Sequence, residues 1–259
     1  MSRIMLSAAS AAIALLCLPS VAFADGCSGI ATFDYASTFD DIFKNSLKFQ
    51  HPGTSDCISG YSATDAATYN KKVDGALYQS GGLLVFDTDG GSGTRSELRG
   101  RGIPTTDEAT YTLSATARIA VDPSNRQFTI GQLFAANGSG GKPLVRIEIQ
   151  NGQVAAVIYP NLSDSSPTYY RPGSSSSDPA RVVTNGEDIS YVIRQKRKTS
   201  TSIELFVSIE GVQVFNATVA NAGQGSNNYF KIGCYMNSST QANGCQSQFS
   251  SASVSPDLY

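Results

Sequence analysis

Three short segments of this chain place reactive side chains at alternate positions, the spacing at which a β-strand aligns them on one face. In Tyr229-Phe230-Lys231-Ile232-Gly233-Cys234-Tyr235-Met236-Asn237 that face carries Lys231, Gly233, Tyr235 and Asn237: a cation, a gap, a phenol and an amide. Such a row suits the binding of an acidic sugar and the movement of a proton. In Arg95-Ser96-Glu97-Leu98-Arg99 the face carries Arg95, Glu97 and Arg99, with Ser96 and Leu98 behind. Two guanidiniums flanking a carboxylate hold one another in place and still offer donors to a substrate carboxylate. In Phe128-Thr129-Ile130-Gly131-Gln132-Leu133-Phe134, strict alternation predicts a shared face of Ile130, Gln132 and Phe134. A glutamine among apolar neighbours needs hydrogen-bond partners if it is buried. Taken singly, each segment also has an ordinary structural reading: a ladder of surface ion pairs, a core glutamine bonded to backbone, a packing tyrosine.

Taken in order, Arg-Ser-Glu-Leu-Arg, the Gln132 segment and Tyr-Phe-Lys-x-Gly-x-Tyr resemble the signature of the alginate lyase 2 superfamily. That group includes polysaccharide lyase family 7 and relatives such as glucuronan lyases. The resemblance runs from about Tyr78 to Asn237, and Lys142-Pro143-Leu144-Val145 shares in it. It implies an all-β, single-domain β-sandwich jelly roll whose concave face binds an anionic uronate polysaccharide. It also implies cleavage by β-elimination. By position, Arg95 and Gln132 match residues that neutralise or hold the uronate carboxylate. Tyr235 matches the tyrosine that gives a proton to the leaving glycosidic oxygen. Glu97, Arg99 and Lys231 match residues that line the cleft and position the sugar, and Asn237 joins them as a substrate-binding candidate.

The chemistry explains these residue types. The C5 proton of a uronate is weakly acidic because the adjacent carboxylate is negative. Neutralising that charge lets the developing carbanion spread into the carboxyl group. A base then takes the C5 proton, and an acid protonates O4 as it leaves. The chain departs from the family pattern at one point: Gln-Ile/Val-His is replaced by Gln132-Leu133-Phe134, which puts Phe134 at the histidine position. The single histidine, His51, lies far upstream and is a catalytic candidate only if the fold brings it to the cleft. In D-mannuronate and D-glucuronate the C5 hydrogen and O4 share a ring face, so one deprotonated tyrosine can act first as base and then as acid. In L-guluronate they lie on opposite faces. Loss of the histidine therefore points to poly-mannuronate or a glucuronan. A phenol pKa of about 10 must fall for this to work, with Arg95 and Lys231 as candidate causes.

Two other readings compete. A non-catalytic carbohydrate-binding jelly roll would keep the cleft and lose the base. A glycoside hydrolase would need two carboxylates facing one sugar bond, and Glu97 has no partner in the other two segments.

The elements that must position these residues are mostly strands. Gly82–Phe86, Tyr111–Val121, Phe128–Ala135, Leu144–Gln150, Val154–Tyr159, Ile189–Gln195, Ser202–Ile209, Val212–Val219 and Tyr229–Met236 are short apolar or alternating runs. Asn151-Gly152 and Glu210-Gly211 read as turn-rich links, and Asn151-Gly152, between two apolar runs, as a hairpin. Ser163–Asp178 reads as a surface loop, Arg194–Lys198 as a solvated strand end, and Thr38–Leu47 as the main helical candidate.

Arg3, the apolar run Ala8–Leu18 and Ala22-Phe23-Ala24 form an export signal, leaving a mature domain from Asp25 to Tyr259 that is secreted or periplasmic. That run is too short for a membrane span. Removing Arg3 takes the formal charge from −2 to −3, which excludes the footprint of a nucleic-acid binder. Of the five cysteines, four remain after the leader is lost. Local loop closure favours Cys27–Cys57 and Cys234–Cys245 among the connectivities open to them. No cofactor and no metal site are expected, although Asp87 and Asp89 before a Gly-rich turn could hold calcium weakly. A monomer is expected.

Overall fold

The alternation read in Tyr111–Val121 is present in the strand that forms there. Tyr111, Leu113, Ala115, Ala117 and Ile119 are buried, and the residues between them are not. The computed structural model describes residues 31–32, 71–72, 77–88, 95–104, 108–135, 142–173, 180–220, 222, 228–237 and 244–256. There is no helix among the described residues. The expected leader, the Thr38–Leu47 helix, His51, Cys27, Cys57 and Asp89 lie outside them.

In chain order the strands are β1 (Ala31–Thr32), β2 (Lys71–Lys72), β3 (Leu77–Ser80), β4 (Leu83–Thr88), β5 (Arg95–Gly102), β6 (Thr110–Ile119), β7 (Gln127–Phe134), β8 (Pro143–Gln150), β9 (Gln153–Ile158), β10 (Thr168–Tyr170), β11 (Asp188–Arg197), β12 (Ser202–Ile209), β13 (Val212–Ala220), β14 (Tyr229–Met236) and β15 (Cys245–Ser255). Among the described residues, β1 and β2 pair only with each other. The rest form two antiparallel sheets, one in the order β10-β9-β8-β7-β14-β5 and the other β13-β12-β11-β6-β15-β4-β3. This is the jelly-roll sandwich the sequence implied. Phe86, Leu113, Phe128, Phe230 and Phe249 are completely or almost completely buried in its core. Each such side chain contributes roughly 1.5–3 kcal/mol by leaving water. Phe86 meets Phe249 edge-on, with ring centroids 5.3 Å apart.

The expected hairpin at Asn151-Gly152 forms, and the turn-rich link at Glu210-Gly211 is a second one. Asn151 and Gly152 have φ of 50° and 75°, and Glu210 and Gly211 have 52° and 75°. Two left-handed residues in succession give the turn whose twist matches antiparallel strands. The Ser163–Asp178 stretch is more than a loop: Thr168–Tyr170 forms β10 and pairs with β9. Its Thr-Tyr-Tyr triplet suits a pleated edge.

One predicted face is corrected. The β7–β8 register steps from Thr129↔Glu148 to Gly131↔Ile147, which marks a bulge at Ile130. The extra residue breaks the period of two. Ile130 therefore turns into the core, and Gln132 and Phe134 lie on the opposite, outer face. Tyr191 of the other sheet supports this bulge by donating its phenolic hydrogen to the Ile130 carbonyl at 3.1 Å. Gly131 must stay glycine here, because a Cβ would run into the Tyr191 ring.

The expected Cys234–Cys245 disulfide is present, with Cα atoms 6.1 Å apart. It closes a short loop in sequence, but in space it ties β14 of one sheet to β15 of the other. Ser247 on β15 adds a hydrogen bond to the Gly233 carbonyl at 2.9 Å. The strand that carries Tyr235 is thus fastened from behind.

Candidate active site

The outer face of the six-stranded sheet is built as cross-strand rows. In one row Arg99, Lys231, Gln132 and Arg146 are register partners across β5, β14, β7 and β8. In another, Arg95, Tyr235, Thr129 and Glu148 follow the same path. Between the two rows, Glu97 faces Gly233. The bulge in β7 keeps both rows aligned: without it, Thr129 and Gln132 would point to opposite faces.

Glu97 is 2% exposed and accepts two hydrogen bonds. One comes from Lys231 Nζ at 3.0 Å and the other from Gln132 Nε2. An ionised carboxylate can only accept, so the NH2 end of Gln132 must face it. Lys231 is itself 4% exposed. Burial lowers the pKa of its ammonium group, and the Glu97 charge opposes that fall. Gly233 lets the backbone of β14 approach that of β5 closely beside this buried group. Its φ is 143°, and a Cβ there would strike the Ser96 carbonyl. No other residue fits that backbone and that gap.

Two aromatic contacts frame the group. The Arg95 guanidinium lies 4.5 Å from the centroid of the Tyr235 ring, and that of Arg99 lies 3.6 Å from the Tyr229 ring. Phe134 stacks on Tyr229, with centroids 5.2 Å apart and planes 18° off parallel. Lys231 Nζ is 5.5 Å from the Phe134 ring. Burial raises the Tyr229 phenol pKa, with Arg99 opposing, so Tyr229 stays neutral and serves as a wall. Arg95, Arg99 and Lys231 outnumber Glu97 here, which makes the face locally cationic in a chain of net charge −2.

The fold therefore gathers Arg95, Glu97, Arg99, Gln132, Phe134, Lys231, Tyr235 and Asn237 on one face. Asn237 belongs to a second network. Its Nδ2 donates to Thr129 Oγ1 and to Glu148 Oε2, each at 2.8 Å. Gln127 Nε2 donates to Glu148 Oε1 at 2.7 Å, and Arg146 Nε lies 3.3 Å from Oε2. Glu148 is fully buried. Burial raises the pKa of its carboxyl group; Arg146, Gln127 and Arg171 pull the other way. Sequence patterning did not single out Arg146 or Glu148. The available signal was two opposite charges at alternate positions inside an otherwise apolar strand. No group of three or more His, Cys, Asp or Glu side chains that could hold a metal occurs among the described residues. Asp87, the calcium candidate, accepts a hydrogen bond from Gln246 at 2.6 Å.

A two-sheet jelly roll with a cationic, phenol-bearing outer face has the chemistry that suits acidic carbohydrate. The alginate lyase family profile matches residues 46–256, and the chain belongs to that family of polysaccharide lyases. Solved structures share the fold. Alginate lyase PA1167 from Pseudomonas aeruginosa is 23% identical, with 71% of this chain and 86% of that one covered and a TM-score of 0.57. Alginate lyase A1-II′, a member of polysaccharide lyase family 7, is 20% identical over 85% of this chain and 98% of that one, with a TM-score of 0.58. Alginate lyase AlyC3 is 17% identical over 90% and 97%, with a TM-score of 0.63. A comparison with curated proteins found no match.

Proposed function

We propose that this protein is an exported lyase that cleaves a uronate polymer by β-elimination, with mannuronate-rich alginate or a glucuronan as substrate. One observation carries the reading: Tyr235 shares a face with the buried Glu97–Lys231–Gln132 group, and only Gly233 lies between. Arg95 and Gln132 take up the uronate carboxylate. The Tyr235 phenolate removes the C5 proton, a C4=C5 double bond forms, and the bond from C4 to O4 breaks. The same phenol then returns its proton to O4, leaving a 4,5-unsaturated sugar on the new non-reducing end.

Phe134 motivates the preference for sugars whose C5 hydrogen and O4 share a face. It stacks flat on Tyr229 and offers no atom for proton transfer where the family pattern has histidine. In keeping with this, the related fold of AlyC3 has been captured with dimannuronate. That of A1-II′ has been captured with both guluronate product and mixed substrate, so mannuronate is not the only sugar that this fold admits. The same phenylalanine supports the second reading, a binding module that has lost its base. The leader motif supports export, with the mature protein starting at Asp25.

Absorbance of unsaturated uronate, followed on mannuronan, glucuronan and guluronan, tests all of this. Mannuronan or glucuronan should be cut faster than guluronan. Tyr235→Phe should lower turnover by about 10²–10⁴-fold, the usual worth of a positioned acid or base, and leave polymer binding in place. Guluronan cut as fast as the others would overturn the stereochemical preference. Near wild-type turnover in Tyr235→Phe would move the proton transfer elsewhere, His51 being the first residue to try. Polymer binding without any absorbance change would establish the binding module.

A further inference from the structure

The face that carries Tyr235 continues from β14 across four more strands, β7, β8, β9 and β10, and stays cationic. Val157 on β9 pairs with Arg146 on one side and with Tyr169 of β10 on the other. The row Arg99, Lys231, Gln132, Arg146, Val157, Tyr169 thus crosses the whole sheet. At strand spacings near 4.8 Å, the distance from β7 to β10 is roughly 14 Å, room for more than one pyranose ring. Val157 is 1% exposed and gives this stretch an apolar floor.

Two guanidiniums overlook that floor. Arg171 lies two residues past Tyr169, with its guanidinium 5.3 Å from the Tyr169 ring centroid. It donates from Nη2 to Gln150 Oε1 at 3.1 Å. Its Nε is buried and has no hydrogen-bond partner, and the same is true of Arg146 Nε. Arg146 Nε is 3.3 Å from Glu148, near enough for ion pairing but misdirected for a hydrogen bond. A buried donor without a partner costs about 1–3 kcal/mol, so two of them on guanidiniums that both act on Tyr169 call for a reason. Glu148 does not supply it: its oxygens accept from Gln127 and Asn237, and neither guanidinium Nε makes a hydrogen bond to them. One buried carboxylate thus faces two guanidiniums, and positive charge is left over.

Tyr169 is half-buried and stays neutral: burial and the Glu148 charge raise its phenol pKa against the pull of Arg146 and Arg171. A neutral ring next to a guanidinium can stack against the C–H face of a sugar while the cation meets its acid group.

We propose that Arg146, Tyr169 and Arg171 form a second carboxylate-binding subsite, which grips a uronate residue of the polymer away from the one that Tyr235 acts upon. The proposal rests on reading this face as a uronate-polymer site. The subsite selects for charge and for chain length. A long polyuronate reaches it and a short oligomer does not, and a neutral polymer of the same length gains nothing from it.

Arg171→Ala is the sharpest variant, because Arg171 sits outside the strands and does not contact the buried Glu148 oxygens directly. In otherwise wild-type protein, the ratio of kcat/KM for polymer to that for the shortest oligomer cleaved should fall about ten-fold, the usual worth of a charge-assisted hydrogen bond. In the Tyr235→Phe background, Kd for mannuronan should rise by a similar factor, while Kd for carboxyl-reduced, neutral mannan should not move. Tyr169→Ala should lower the same ratio by a smaller factor. A folded Arg171→Ala protein with the wild-type ratio, or one that loses activity equally on short and long substrates, would overturn the subsite and leave the lyase reading intact. A wild-type protein that neither cuts nor binds any polyuronate would overturn both.

Discussion

Glu97 and Glu148 are buried on the same face of the same sheet and are held in opposite ways. Glu97 meets a full cation, Lys231 at 3.0 Å, and the amide of Gln132. Glu148 is met by two neutral amides, those of Gln127 and Asn237, and its Arg146 contact is badly aligned. Around Glu97 the charges close on one another and fix the groups beside Tyr235. Around Glu148 they stay open, and guanidinium donors remain for something else. The half of the face proposed to do chemistry is locked, whereas the half proposed to grip the polymer keeps buried donors without partners.

The largest effect expected from this difference is on stability at Glu97. Glu97→Gln leaves the Lys231 cation buried without its counter-ion, a loss of about 3–5 kcal/mol. For a domain of this size that lowers the melting temperature by roughly 10 °C. Replacing both residues, Glu97→Gln with Lys231→Met, should recover most of the loss, because no buried charge then remains. Melting followed by circular dichroism decides the point. A single variant that melts with wild type would mean that Glu97 is not locked at all.

The Cys234–Cys245 bridge comes next, since it lies behind the locked half alone. Substituting both cysteines by serine should cost about 2–4 kcal/mol. Turnover should fall as well, because β14 carries Lys231, Gly233 and Tyr235. Unchanged melting with and without reductant would show that the staple adds nothing to sheet packing.

Much of this was legible in the sequence because it rests on short-range rules. The Asn151-Gly152 turn, the buried face of β6 and the Arg95–Glu97–Arg99 face each follow from residue type and a period of two. Other features depend on distant partners. The bulge at Ile130 needs Gly131 and the Tyr191 phenol from another sheet, so strict alternation put Ile130 on the wrong face. Strand β15, Cys-Gln-Ser-Gln-Phe-Ser-Ser-Ala-Ser-Val-Ser, was hidden by its small polar residues and by a register shift between Phe249 and Ser251. It nevertheless lies between β6 and β4, well inside its sheet. Arg146 and Glu148 were hidden for a different reason: an apolar strand draws attention to what it buries in the core, and these two are buried on the other side.

The smallest effect concerns Glu148 and is read through pH. Because burial raises its carboxyl pKa, the folded protein binds this proton more tightly than the unfolded chain does. Stability then falls as pH rises from the ordinary glutamate value of about 4.3 toward the raised one, and below that window the penalty is absent. Glu148→Gln removes this titration. It also sets an amide donor against Gln127 or Asn237, which loses one hydrogen bond worth about 1 kcal/mol. The variant should therefore be less stable than wild type at the acid end, and the gap should narrow or reverse above the window. Urea midpoints across that range measure it. Two parallel profiles would show that Glu148 is as well compensated as Glu97, and the contrast between the locked and open halves would have to be given up.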